Sequence, residues 1–137
     1  MEGRISARDK IPHRPPMAMI DSILTDALPR QEVSALIRED NRFLNSDGLL
    51  DRCCIPELVS QGAAAVDTLR NNGKCRSGML ALGHDIEVLE DIRVNDEIVI
   101  SAADENPMDN WYVLDFRIYK RGTDKLCAQG EISLCVF

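Results

Sequence analysis

One stretch of this 137-residue chain has the spacing of a long helix, and everything else must pack around it. It runs from Cys54 to Arg70, CIPELVSQGAAAVDTLR. Its apolar positions Ile55, Leu58, Val59, Gly62, Ala63, Val66 and Leu69 recur three and four apart, which makes a stripe that must face a core. Pro56 suits the first turn, where its missing N–H costs nothing. Arg70 and the run Asn71-Asn72-Gly73 close the helix. The waist, Gly62-Ala63-Ala64-Ala65, has almost no bulk, so Gly62 and Ala63 are expected to lie buried against a second layer. Glu57 and Gln61 flank the stripe one turn apart.

The rest of the chain alternates with period two, the spacing of strands. Ile11 to Met19 is a proline-rich lead that cannot run as a regular helix. Ile20–Leu28 and Gln31–Glu39 read as two strands, the second with Val33, Ala35 and Ile37 inward, joined by a turn at Pro29-Arg30. Residues 40–51 are irregular and contain the turn pair Asp47-Gly48. Met79–Leu89, Glu97–Ala103, Trp111–Lys120 and Leu126–Val136 read as four more strands. The order is β-β-α-β-β-β-β. This is an α+β protein in which one central helix covers the apolar face of a curved, six-stranded, mostly antiparallel sheet. Residues 1–10 read as a polar lead-in and 11–137 as one domain.

Composition removes several function classes. A net charge of −7 is wrong for a nucleic-acid binder, whose phosphate contacts need a basic face. No apolar run reaches the roughly 20 residues needed to span a bilayer, and the N-terminus lacks the apolar core of a secretory signal. The five cysteines form no CxxC pair. The two histidines have no ligand spacing, so neither a metal nor another cofactor is expected. Reduced thiols in a cytoplasm are the simplest account.

Three motifs, in this order, resemble those of the beta-hydroxyacyl-ACP dehydratases. Ile11-Pro-His-Arg-Pro-Pro-Met17 with Ile20-Asp21-Ser-Ile-Leu24 resembles their opening. Pro56-Glu57-Leu-Val-Ser-Gln61-Gly62-Ala63 resembles their central-helix motif, Glu-x-x-x-Gln followed by small residues. Leu82-Gly83-His84-Asp85, with Val94-Asn95-Asp96-Glu97 downstream, resembles their third strand and the turn after it. The resemblance covers residues 11–137. It implies a hotdog fold and a dimer with two sheets joined edge to edge. It also implies an acyl-thioester tunnel at the dimer interface. The family's catalytic His lies in a Gly-His-Phe-Pro segment upstream of the helix. Here that region, Arg42-Phe-Leu-Asn-Ser-Asp47-Gly48-Leu-Leu-Asp51, is shorter and holds no His. The Pro-Gly-Val whose amide faces the thioester carbonyl is replaced by Arg52-Cys53-Cys54. The sequence is similar to a short-loop, dehydratase-like branch, some of whose members occur with aryl-polyene-type synthesis genes.

Each candidate residue has a plain reading beside the functional one. An acidic residue in a first helical turn ordinarily serves the helix dipole. The motif match makes Glu57 an active-site carboxylate, a general acid or base, with Gln61 holding its orientation. Asp47 takes the place of the absent His, or is an ordinary Asp-Gly turn. His13 anchors the N-terminal segment. His84 shares parity with Leu80, Leu82, Ile86 and Val88, so it is expected to face the helix layer, as a core histidine or as a tunnel residue. Helix-end amides at Cys53 and Cys54 are candidate donors to a thioester carbonyl, and the two thiols are small hydrophobes or activated nucleophiles. Arg70, Lys74 and Arg76 either meet a carrier protein or a CoA phosphate, or simply solvate a helix end. Three functions remain open: dehydration of a 3-hydroxyacyl thioester, acyl-thioester hydrolysis with Glu57 activating water, and a non-catalytic acyl-thioester binder or dimer partner. The expected partners are an acyl thioester on ACP or CoA and a second copy, as a homodimer or an assembly of dimers.

Overall fold

The computed structural model describes residues 5–12, 14, 17–25, 30–74, 78–104, 111–123 and 125–136, with backbone alone at 78–82 and 136. The strands are β1 (Ile5–Ser6), β2 (Ser22–Thr25), β3 (Arg30–Leu36), β4 (Gly78–Val88), β5 (Glu97–Asp104), β6 (Trp111–Lys120) and β7 (Leu126–Val136). The helix α1 spans Ile55–Arg70, with single 3-10 turns at Arg8–Lys10 and Arg52–Cys54. All seven strands form one antiparallel sheet in the order β1-β2-β3-β5-β6-β7-β4. The architecture is the hotdog fold, one helix against one curved sheet.

The alternation decides which face meets the helix. Opposed pairs such as Ile100 with Ile118, Ala102 with Phe116, and Leu114 with Ile132 are all buried, and α1 covers them with Ile55, Leu58, Val59, Ala65 and Val66. The sheet has a seventh strand that alternation did not reveal, because Ile5 and Ser6 pair with Ile23 and Ser22.

At the helix waist α1 packs against β3. Gly62 is buried, and a Cβ added there would lie 3.6 Å from Val33 Cβ. Ala63, by contrast, is half-buried rather than fully enclosed. Since 3.6 Å is ordinary van der Waals contact, Gly62→Ala removes glycine's entropy penalty without a clash. It is expected to stabilise the chain by about 0.5–1 kcal/mol, read as a higher midpoint in urea.

The other departure is in β4. His84 pairs with Glu131 and Glu87 with Gln129, so β4 carries one extra residue between two fixed partners. This bulge reverses the side-chain parity of the strand. Ile86 and Val88 pack against the core, but His84 is exposed. The expectation that His84 faces the helix layer is therefore corrected. Asp85 takes a left-handed φ of 50° in the bulge, opposite Gly130. Among the described residues, no helix is long and apolar enough to cross a membrane.

Candidate active site

Glu57 lies in the first turn of α1, partly exposed, and Gln61 lies one turn on at 1% exposure. A buried amide must have its polar atoms satisfied, and here all are. Gln61 Oε1 accepts from the Met19 N–H at 2.8 Å, and Nε2 donates to the Met17 carbonyl at 2.9 Å and to Glu57 Oε1 at 3.0 Å. Gln61 thus orients Glu57, as the spacing predicted, and also clamps the segment Met17–Met19 to the helix. That segment is fixed again at Asp21, whose carboxylate accepts from the Leu36 N–H at 2.6 Å and from Arg38 at 2.7 Å.

The start of the helix is arranged by Asp51. Its Oδ1 accepts from the Cys53 N–H at 2.9 Å, its carbonyl accepts from the Cys54 N–H at 3.1 Å, and the Ile55 N–H is bonded to the Arg52 carbonyl. The amides of Cys53 and Cys54 are therefore engaged, and their expected role as thioester-carbonyl donors is corrected. The Cys53 N–H holds the Asp51 carboxyl below the usual carboxylate range. The Asp51 carboxylate in turn raises the exposed Cys53 thiol. Burial pushes the Cys54 thiol up to about 12. Neither thiol is activated, since a nucleophilic cysteine needs a lowered pKa; Cys54 is a small buried hydrophobe.

The model of the ApeP-like family, described as ApeP dehydratase, matches residues 5–136. The chain belongs to this family. No curated protein matches it in sequence. Among solved structures, it is similar to "The Dehydratase Heterocomplex ApeI:P" of Xenorhabdus doucetiae, with a TM-score of 0.84 at 15% identity over 97% of this chain and 91% of that one. It is similar to zebra fish thioesterase superfamily member 2, with a TM-score of 0.68 at 16% identity over 92% and 88%. A hypothetical thioesterase of Streptococcus pneumoniae with coenzyme A gives 0.62 at 15% identity over 83% and 86%. At such identities these likenesses establish the hotdog fold and nothing finer.

Three other residues singled out in this ApeP-like sequence, Asp47, Arg70 and Lys74, are exposed. Asp47 is exposed at the tip of a turn: Asn45 Oδ1 accepts from the Asp47 N–H at 2.9 Å and the Leu49 N–H at 3.0 Å, and Gly48 takes a φ of 77°. The turn is pinned to residues 92–94 by Leu50 N–H to Ile92 O, Val94 N–H to Gly48 O and an isolated bridge between Leu49 and Arg93. Asp47 is thus a turn residue. Arg70 is exposed in the last turn of α1, about 20 Å from Glu57 at 1.5 Å per residue, and Lys74 is exposed beyond the end of the helix. His13 and Arg76 fall outside the described residues.

A pair between helix and strand escaped the sequence reading. The Tyr112 hydroxyl donates to Asp67 Oδ1 at 2.7 Å, and Asp67 is 7% exposed. The signal was an acid between Val66 and Leu69 on the apolar stripe, but its partner lies on a strand far along the chain. Among the described residues, no group of His, Cys, Asp or Glu is arranged to hold a metal.

Proposed function

We propose that this ApeP-like chain dehydrates 3-hydroxyacyl thioesters carried by ACP, with Glu57 as its acid–base group. The observation that supports this most is the Gln61–Glu57 hydrogen bond of 3.0 Å from a donor that is itself buried. A general acid works only when its proton is aimed at one atom, and an amide with every other valence spent holds the carboxyl in one orientation. In the reaction a base removes the α-proton, Glu57 protonates the departing 3-hydroxyl, and water leaves as the C2–C3 double bond forms.

Glu57 fills one role, so the α-proton needs a second group. Asp47 is turned to solvent, and residues 42–51 contain no His. We assign the second group, and the donor to the thioester carbonyl, to a second chain. One observation supports an assembly of two chains: the structurally similar protein from Xenorhabdus was solved as a dehydratase heterocomplex. Whether that second chain is another copy or a different protein is read from light scattering of the purified chain; a monomer at micromolar concentration points to a different protein.

The functional test offers the assembly 3-hydroxyacyl and enoyl thioesters of several lengths and follows enoyl absorbance together with free thiol. Interconversion without thiol release is the expected result. Thiol release makes it a hydrolase. Inertness with intact acyl-thioester binding leaves the binding-partner role.

A further inference from the structure

We propose that the cavity lined by Arg8, Arg38 and Asn41 binds one phosphate group, either free or at the end of a pantetheine arm. The second source rests on the thioester reading above; the site itself does not. The cavity has about 20 Å³ of room, enough for one water-sized oxygen atom. Its lining is rich in donors. Arg8 Nε is buried with no hydrogen-bond partner among the described residues, and a buried donor left unmatched costs its full desolvation. Asn41 is 9% exposed, and its Oδ1 is taken by the Phe43 N–H at 2.8 Å, so its NH2 is what it has to offer. A guest that only accepts hydrogen bonds suits this lining.

Charge points the same way. Arg8 Nη2 at 3.4 Å and Arg38 Nη2 at 2.7 Å share a single carboxylate oxygen, Asp21 Oδ1. Two guanidiniums divide one carboxylate, which leaves one positive charge over, and guanidiniums are the side chains that suit phosphate. Asp40 also lines the cavity and opposes an anion, but it is exposed, so water and salt screen it. The Arg8 and Arg38 side chains are 33% and 39% exposed, so a phosphate can seat one oxygen in the cavity and keep the others toward solvent. Met19 lines the cavity as well, and its N–H donates at 2.8 Å to the Gln61 amide that orients Glu57. A phosphate held here and the Glu57 carboxyl are therefore set by the same segment.

The experiment measures binding of inorganic phosphate, pantetheine and 4′-phosphopantetheine by calorimetry to the full chain in the assembly it forms, in wild type, Arg8→Lys and Asp40→Asn. Arg8→Lys keeps a charge for Asp21 and removes Nε; it is expected to weaken phosphate about tenfold. Asp40→Asn removes only an exposed opposing charge and is expected to tighten phosphate about twofold; it decides the matter if Arg8→Lys does not fold. Phosphopantetheine bound more tightly than pantetheine, with the preference lost in Arg8→Lys, makes the arm the source. Equal binding of the two beside intact phosphate binding makes it a free-phosphate site and leaves the thioester reading to its own test. A wild type that neither binds phosphate nor prefers phosphopantetheine overturns the site. Equal phosphate affinity in wild type and folded Arg8→Lys overturns it too, as does weaker phosphate binding in Asp40→Asn.

Discussion

Replacing Glu57 with Gln is expected to lower the rate of enoyl formation by about 10²–10⁴-fold with the fold unchanged. The substitution keeps the shape of the side chain and removes only its proton chemistry. The new amide oxygen can still accept from Gln61 Nε2, so the Met17–Met19 clamp survives, and the melting temperature serves as the control for that. Loss of rate at constant KM places Glu57 in the chemical step rather than in binding. Thiol release lost in the same variant moves the carboxylate to hydrolysis on the same site. A variant that turns over as fast as the wild type removes Glu57 from the mechanism altogether, whatever the family's motif implies.

What was legible in the sequence was what local chemistry decides. The helix was read as Cys54–Arg70 and found as Ile55–Arg70, because apolar spacing, a proline in the first turn and the Asn-Asn-Gly stop all act within a few residues. The Glu57–Gln61 contact was legible for the same reason: one helical turn separates them. Contacts between distant segments were not. Ile5–Ser6 is too short to show alternation, and its pairing is set by Ile23 and Ser22. The outward turn of His84 comes from a bulge, and a parity argument assumes an uninterrupted strand. The Cys53 and Cys54 amides looked available because helix ends normally leave donors unpaired. Asp51 is a residue type that caps such ends, and its place two residues before Cys53 was the overlooked sign. Asp67 and Tyr112 meet from helix and strand, a pairing that no periodicity encodes.

Gly130→Ala is expected to destabilise the chain by about 2–4 kcal/mol and to lower its melting temperature on the order of 10 °C. A Cβ at this position would lie 2.8 Å from Ile86 Cα and 3.2 Å from the Asp85 carbonyl oxygen. Both are backbone atoms, so no side-chain rotation relieves the contact; the bulge of β4 must shift as a whole. That bulge is what carries Asp85 into the left-handed region and turns His84 out of the core. It lies on β4, the strand at one edge of the sheet. Gly62→Ala is the internal control: the same added methyl meets Val33 at 3.6 Å and is expected to stabilise. If Gly130→Ala melts with the wild type, the close approach of β7 to the bulge is wrong, and the outward placement of His84 goes with it.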